Sequence, residues 1–365
     1  MRILVIAMVA AAAAHAAVEI AGDSSRGEKL FQTEQCVQCH SINGKGGSVG
    51  PDLGKIIDRN FTPAGLAGLM WNHAPAMWQA MEKRGIQRAS LSPEASADLF
   101  AYFYSVRFFD KPGDAARGKQ IFASKHCADC HGITKSVAAG APPVVHWESI
   151  GHPIALARQM WNHAAKMQAA QTNHKIAWQQ LTTQDLSDIL VYLRNLPEMR
   201  QKAAVFDLPP APGGREVFEA KGCAKCHTGK LALENRLHNQ TLTDIAVDMW
   251  NHAPKMNNTP PELSQDEMNR LVSYLWVQQF FRSGGSGSRG QKVFTSKNCV
   301  KCHGVAGSGA PNLKEHAGDY SAVSMISALW HHGPRMLNMM EQKGIAWPRF
   351  DGTQMADLIA FLNTK

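Results

Sequence analysis

The chain has 365 residues, 44% of them hydrophobic and 19% charged, with a formal net charge of +8. That balance does not point to nucleic acid, because the cofactor groups inferred below carry acidic substituents that offset it. Beyond the first residues, no apolar run is long enough to cross a bilayer.

The chain opens on an export-type leader. Arg2 is a short positive region, Ile3 to Ala14 is apolar, and Ala14-His15-Ala16 is an Ala-x-Ala site. The expected division is a signal peptide over 1–16, cleaved near Ala16, with the rest periplasmic or otherwise exported. With no cysteine beside that site, a lipoprotein is not expected.

The pattern Cys-x-x-Cys-His then recurs at Cys36-Cys39-His40, Cys127-Cys130-His131, Cys223-Cys226-His227 and Cys299-Cys302-His303, and uses all eight cysteines. This is the attachment pattern of c-type haem. Two thiols add across the two vinyl groups of one haem, and the next residue offers its imidazole to iron. Disulfides are the ordinary use of cysteine in an oxidising compartment. Here each pair is too close in sequence, and the trailing His favours thioether bonds. The expectation is four covalently bound haem c groups, with His40, His131, His227 and His303 as proximal iron ligands.

The repeat extends beyond the cysteines. Upstream of each pair stands Gly-x-x-x-Phe: Gly27 and Phe31, Gly118 and Phe122, Gly214 and Phe218, Gly290 and Phe294. Downstream stands Trp-x-His-x-x-x-Met: Trp71, His73 and Met77; Trp161, His163 and Met167; Trp250, His252 and Met256; Trp330, His332 and Met336. Each copy closes on an amphipathic stretch, as at Leu186, Ile189, Leu190 and Leu193. Capping residues Ser92, Thr182, Ser264 with Glu267, and Asp351 mark where these last helices begin. The fold class is all-α, with four units over 23–110, 111–197, 213–283 and 284–365 and a linker over 198–212. The connector from Pro197 to Gly214, with its Pro-rich stretch at 208–213, is read as partly extended, and Ser283 to Ser288 as the most flexible connector.

This organisation resembles the class I cytochrome c family repeated in tandem. Gly50-Pro51-Asp52-Leu53 matches the family's Gly-Pro-x-Leu element, Ala310-Pro311-Asn312-Leu313 nearly does, and Ala141-Pro142-Pro143 is looser. The third copy has no equivalent, which leaves open what orients His227. The resemblance implies that the proline carbonyl accepts a hydrogen bond from the proximal His. It also implies a distal Met beyond the middle helix. Pro75, Pro254 and Pro334 fall between His and Met, and proline disfavours helix. The middle helix is therefore expected to end near the His, with Met77, Met167, Met256 and Met336 as distal ligands. His73, His163, His252 and His332 are the alternative set. Met81, Met339 and Met340 lack a pattern common to the copies. The tryptophans read as packing residues.

With two candidate ligands for every iron, the expected function is electron transfer in a respiratory or photosynthetic chain. Partners would be a membrane quinol-oxidising complex, an oxidase, a reductase or a reaction centre, with possible association with a membrane complex. No nucleic acid and no small-molecule substrate are expected, and no catalytic residue is assigned. One alternative is a haem enzyme of peroxidase or nitrogen-oxide reductase type with an open iron. The spare histidines His126, His146, His152, His174, His238 and His316 do not recur between copies, which counts against it. Another is a low-potential bis-His conduit to extracellular acceptors, because two imidazoles lower the potential that Met raises.

Overall fold

The computed structural model describes residues 22–364, apart from 56–61, 89, 107–112, 148–149, 151–152, 203–212, 234–235, 238–239, 257–259, 282–283 and 317–319. The leader, Asp110 to Pro112, most of the 198–212 linker, Ser283, His152 and His238 lie outside the described residues.

In chain order the helices are α1 (Ser24–Thr33), α2 (Pro63–Lys83), α3 (Pro93–Ser105), α4 (Ala115–Ser124), α5 (Pro153–Asn173), α6 (Thr183–Arg194) and α7 (Gly214–Ala220). They continue as α8 (Leu242–His252), α9 (Gln265–Phe281), α10 (Gly287–Ser296), α11 (Val300–His303), α12 (Ala322–Gln342) and α13 (Gln354–Leu362). A two-residue antiparallel ladder joins β1 (Ser41–Ile42) to β2 (Lys45–Gly46). The all-α class is thus observed.

The same helix crossing occurs around each Cys-x-x-Cys-His element. The first helix of a unit packs on its last: α1 on α3, α4 on α6, α7 on α9 and α10 on α13. The glycine of Gly-x-x-x-Phe sits at the crossing. A Cβ there would lie 2.1 Å from the Asp98 carbonyl oxygen at Gly27, 2.0 Å from that of Asp188 at Gly118, 2.3 Å from that of Arg270 at Gly214 and 1.9 Å from that of Asp357 at Gly290. Only a residue without a side chain lets the two backbones meet so closely. Four residues on, Phe31, Phe122 and Phe294 are buried on the same side.

Three of these crossings carry an ion-pair clamp absent from the expectations above. Buried Asp98 accepts from Asp23 N at 2.7 Å and from Arg26 Nε and Nη2 at 2.8 and 2.7 Å. Asp357 does the same with Ser286 N, Arg289 Nε and Arg289 Nη2 at 2.7, 2.8 and 2.8 Å. Asp188 accepts from Asp114 N at 2.8 Å and pairs with Arg117. The third unit has Arg270 where the others have this Asp. The sequence signal was Arg one residue before the crossing Gly in copies one, two and four.

Three of the four capping expectations hold as made; at α13 the cap position is Thr353, and Asp351 stands two residues ahead of it. Ser92 Oγ accepts from Ala95 N, Thr182 forms a reciprocal box with Asp185, and Ser264 does so with Glu267. Asp351 Oδ1 accepts from Gln354 N at 3.0 Å, ahead of α13.

One expectation fails here. The described part of the Gly/Ser run is not a free connector. Gly285 lies against the Ala356 backbone, Ser286 caps α10, and Gly287 already starts that helix. The small residues are there because the chain passes directly over α13, as Gly113 passes over Ser187.

The units associate out of chain order. α12 and α13 of the fourth unit pack on α2 of the first, α12 also on α3, while α5 of the second packs on α8 and α9 of the third. One apolar cluster runs through units 1, 3 and 4 and takes in Ile154, Trp161 and Ala164 of unit 2, and a second joins unit 2 to Ala246, Val247 and Trp250 of unit 3. Units 1 and 3 meet where the Tyr104 hydroxyl accepts from Leu242 N at 2.8 Å and its ring lies 5.1 Å from Trp276. Among the described residues no helix is long and apolar enough to cross a membrane.

Candidate functional site

Each Cys-x-x-Cys-His element follows directly on the first helix of its unit. In units 1 and 3 it enters a short 3-10 turn, Cys36–Gln38 and Cys223–Lys225. In every copy the His N–H donates to the carbonyl of the first Cys, at 2.9 Å for His40, His131 and His303 and 3.0 Å for His227. This winds both thiols and the imidazole onto one tight turn. The thiols are unbridged. Burial pushes those of Cys36, Cys127 and Cys299 up to about 11, against backbone N–H groups that favour the thiolate.

The proximal rings are held by backbone carbonyls. His40 Nδ1 lies 3.0 Å from Pro51 O, His131 Nδ1 2.9 Å from Pro142 O, and His303 Nδ1 3.0 Å from Pro311 O. All three are the prolines picked out in the sequence. In the third copy, where no such proline exists, His227 Nδ1 lies 3.2 Å from Leu231 O. A carbonyl oxygen only accepts, so each Nδ1 carries the hydrogen. Each Nε2 then keeps its lone pair for a metal, as ligating histidines do. In the first copy the proximal loop is braced further. Asp52 accepts from Asn43, Gly44 and Gly54 N–H groups, and these hold its carboxyl below the usual range although burial pushes the other way.

The middle helices depart from expectation. α2, α5 and α12 are each 21 residues long and run without a break through both His and Met, α2 and α12 with Pro75 and Pro334 inside. The reason lies downstream. Met77 to Lys83 and Met336 to Gln342 are rich in helix formers, which carry the helix past one missing hydrogen bond. Only in the third copy does the helix end as expected. α8 stops at His252, a 3-10 turn covers Ala253–Lys255, and Met256 is extended, with Pro260 and Pro261 close behind.

On a continuous helix His73 and Met77 share one face, being four apart. Trp71, Pro75, Trp78 and Glu82 fall on the opposite face. Met77 and Met256 pack on the cluster that also holds Cys36, and Met167 on the cluster that holds Cys127. The corresponding histidines are exposed. His73 and His163 each donate Nδ1–H to the carbonyl four residues earlier, at 2.8 Å, which again leaves Nε2 outward. In the third copy the rings of His227 and His252 lie 5.7 Å apart. Partial burial first, then His227, Lys255 and Arg236, lower the His252 value against the pull of Asp248. These residues fit a covalent haem: paired unbridged thiols, one imidazole with a free Nε2, and a second donor face on the middle helix.

The opposite face does a job the sequence reading missed. Asn72, Asn162 and Asn251 follow the motif Trp, and each reaches into another unit. Asn72 Nδ2 donates to Phe350 O at 2.7 Å and its Oδ1 accepts from Phe350 N at 2.8 Å. Asn162 does this with Leu263 O and N at 2.8 and 3.0 Å, and Asn251 with Leu181 O and N at 2.8 and 3.0 Å. The neighbouring indoles add a third bond: Trp71 to Pro348 O at 3.1 Å, Trp161 to Pro261 O at 2.9 Å, Trp250 to Gln179 O at 2.8 Å. In the fourth copy His331 replaces Asn, and its Nε2 lies 3.3 Å from Ser90 Oγ of unit 1. The signal available in the sequence was Asn at the variable position in three of four copies.

Among the spare histidines, His126 has its Nδ1 2.8 Å from Asp129 Oδ2 on the exposed attachment loop of unit 2.

A family model described as Cytochrome c matches residues 24–106, 115–197 and 287–365. A second, described as Cytochrome C oxidase, cbb3-type, subunit III, matches 209–275. Comparisons with curated proteins and with solved structures returned no match.

Proposed function

Because the chain belongs to the cytochrome c family, a haem-based electron-transfer family with covalent haem c, we propose that it is an exported carrier of four haem groups that passes electrons between proteins of a respiratory or photosynthetic chain. The observation that carries this reading is the repetition of one local chemistry at His40, His131, His227 and His303: two thiols, an Nδ1–H fixed on a carbonyl and a free Nε2. Haem supplies the redox-active iron. The chain attaches it, orients the proximal imidazole, buries one side and provides a second ligand. The units would be domains over 23–110, 111–197, 213–283 and 284–365, following a leader over 1–16 that sends the protein to the periplasm.

Met77, Met167, Met256 and Met336 are the proposed distal ligands. The support is the place of Met77, Met167 and Met256 against the apolar clusters, which in the first two copies also hold an attachment cysteine. A thioether suits that setting and raises the potential. The bis-His alternative is favoured at one place, the third copy, by the facing rings of His227 and His252. Partners would be a quinol-oxidising complex on one side and an oxidase, reductase or reaction centre on the other. The match of residues 209–275 to an oxidase subunit supports an oxidase as one of them.

The ferric absorption spectrum tests the ligands. Met77→Leu should remove a share of the Met–iron charge-transfer band at the red edge and open that haem to cyanide. A parent spectrum with no such band would replace Met by His at all four sites. Rapid cyanide binding at one haem of the untreated protein would instead favour an enzyme.

A further inference from the structure

The motif Trp-Asn-His-x-x-x-Met serves two partners at once. One face of the middle helix carries the His and Met of its own unit. The other carries the Trp and Asn that hold a different unit. In units 1 and 2 both faces ride on one unbroken helix, and in unit 3 Trp250, Asn251 and His252 share α8, which stops before Met256; the docking residues and the motif histidine therefore cannot move independently.

The docking is reciprocal and specific. Unit 2 holds unit 3 through Trp161 and Asn162, and unit 3 holds unit 2 through Trp250 and Asn251. Each Asn amide pairs with both the N–H and the C=O of one buried residue, as a neighbouring strand would. This satisfies backbone groups that would otherwise be orphaned under the helix start. The target directly precedes the cap of the last helix at Leu181 and Leu263, and directly precedes Asp351 ahead of α13 at Phe350. Aromatic rings close the contact, with Trp347 stacked 5.2 Å from Trp71 and Trp178 4.1 Å from Trp250. At the crossing of α2 with α12, a Cβ on Gly333 would come 2.3 Å from the Trp78 ring.

We propose that the Trp-Asn dipeptide positions the redox centres for exchange between units, and that electrons therefore move within the pairs 1–4 and 2–3, with the Tyr104–Trp276 contact of units 1 and 3 as the bridge. Chain order is not the order of transfer. Asn72, Asn162 and Asn251 act through the helices they fix and are positioning residues. The proposal rests on the haem reading above.

The test is one-electron reduction of the full holoprotein by a short radical pulse, followed by the redistribution of the electron among haems. In Asn162→Ala/Asn251→Ala, exchange between units 2 and 3 should slow at least about tenfold, because displacement on the ångström scale already costs orders of magnitude in a positioned reaction. Exchange within the 1–4 pair should stay as in the parent, and Asn72→Ala should show the converse. Haem content and the axial-ligand spectrum should not change. Asn251→Asp keeps the acceptor for Leu181 N–H and should recover part of the rate; it also carries the test if the double variant fails to hold its haems. Rates within twofold of the parent in a variant retaining every haem would overturn the proposal. A parent protein lacking the haems would overturn the function proposed above instead.

Discussion

In units 1, 2 and 4 the proximal histidine leans on a proline carbonyl eight or eleven residues downstream, whereas His227 of unit 3 uses Leu231, four residues on. The contrast continues through the unit. α1, α4 and α10 are each 10 residues long and tied to the last helix by Arg–Asp; α7 has 7 residues and lacks that tie. α2, α5 and α12 run unbroken through the Met, while α8 stops at the His. Unit 3 is also the stretch matched by a different family model. What survives in all four is the Cys-x-x-Cys-His turn, the glycine crossing and a carbonyl for Nδ1. The lesson is that this chemistry needs an acceptor at the ring, not a particular proline.

The comparison breaks most severely at the shared crossing. Gly290→Val and Gly214→Val both drive a side chain into a backbone carbonyl. Each should cost about 3 kcal/mol or more and leave its unit poorly haem-loaded; thermal unfolding and haem stain of the variants check this. Equal stability with valine at Gly214 would mean that the third crossing is loose.

A smaller effect separates the clamped units from the third. Asp357→Ala removes the partner of Arg289 and Ser286 N–H and should cost about 1–2 kcal/mol, measured by denaturant unfolding. Burial pushes the Asp357 carboxyl up, but Arg289 and Ser286 outweigh it and hold it below the usual value. Its folded value is thus lower than its unfolded one. The stabilisation is complete above the unfolded value of about 3.9 and is lost as pH falls through the folded one. Acid titration should therefore loosen unit 4 below about pH 4 in the parent, and Asp357→Asn should flatten that loss.

The smallest expected change is at the helix break. Pro254→Ala should alter stability by no more than about 0.5 kcal/mol, because Pro260 and Pro261 still end the segment. A clear gain in helical circular dichroism would show that Pro254 alone shapes α8.

Much of this was readable from one sequence because it was written four times. The glycine before each Phe, the Cys-x-x-Cys-His turns and the three proline carbonyls follow from local pattern, and local pattern is what a turn or a cap obeys. The unbroken α2 and α12 were not readable from the proline. The rule that proline ends a helix was outweighed by the helix formers after it, a sum over a dozen residues. The Asn clamps and the 1–4 and 2–3 pairing were hidden for another reason. Asn72 and Phe350 are 278 residues apart, and nothing in either neighbourhood names the other.

The most direct test is the intact mass of the purified native protein. The account predicts the polypeptide plus four haems, including one on Cys223 and Cys226 of the divergent unit. A mass carrying three, with those two cysteines free, would contradict it.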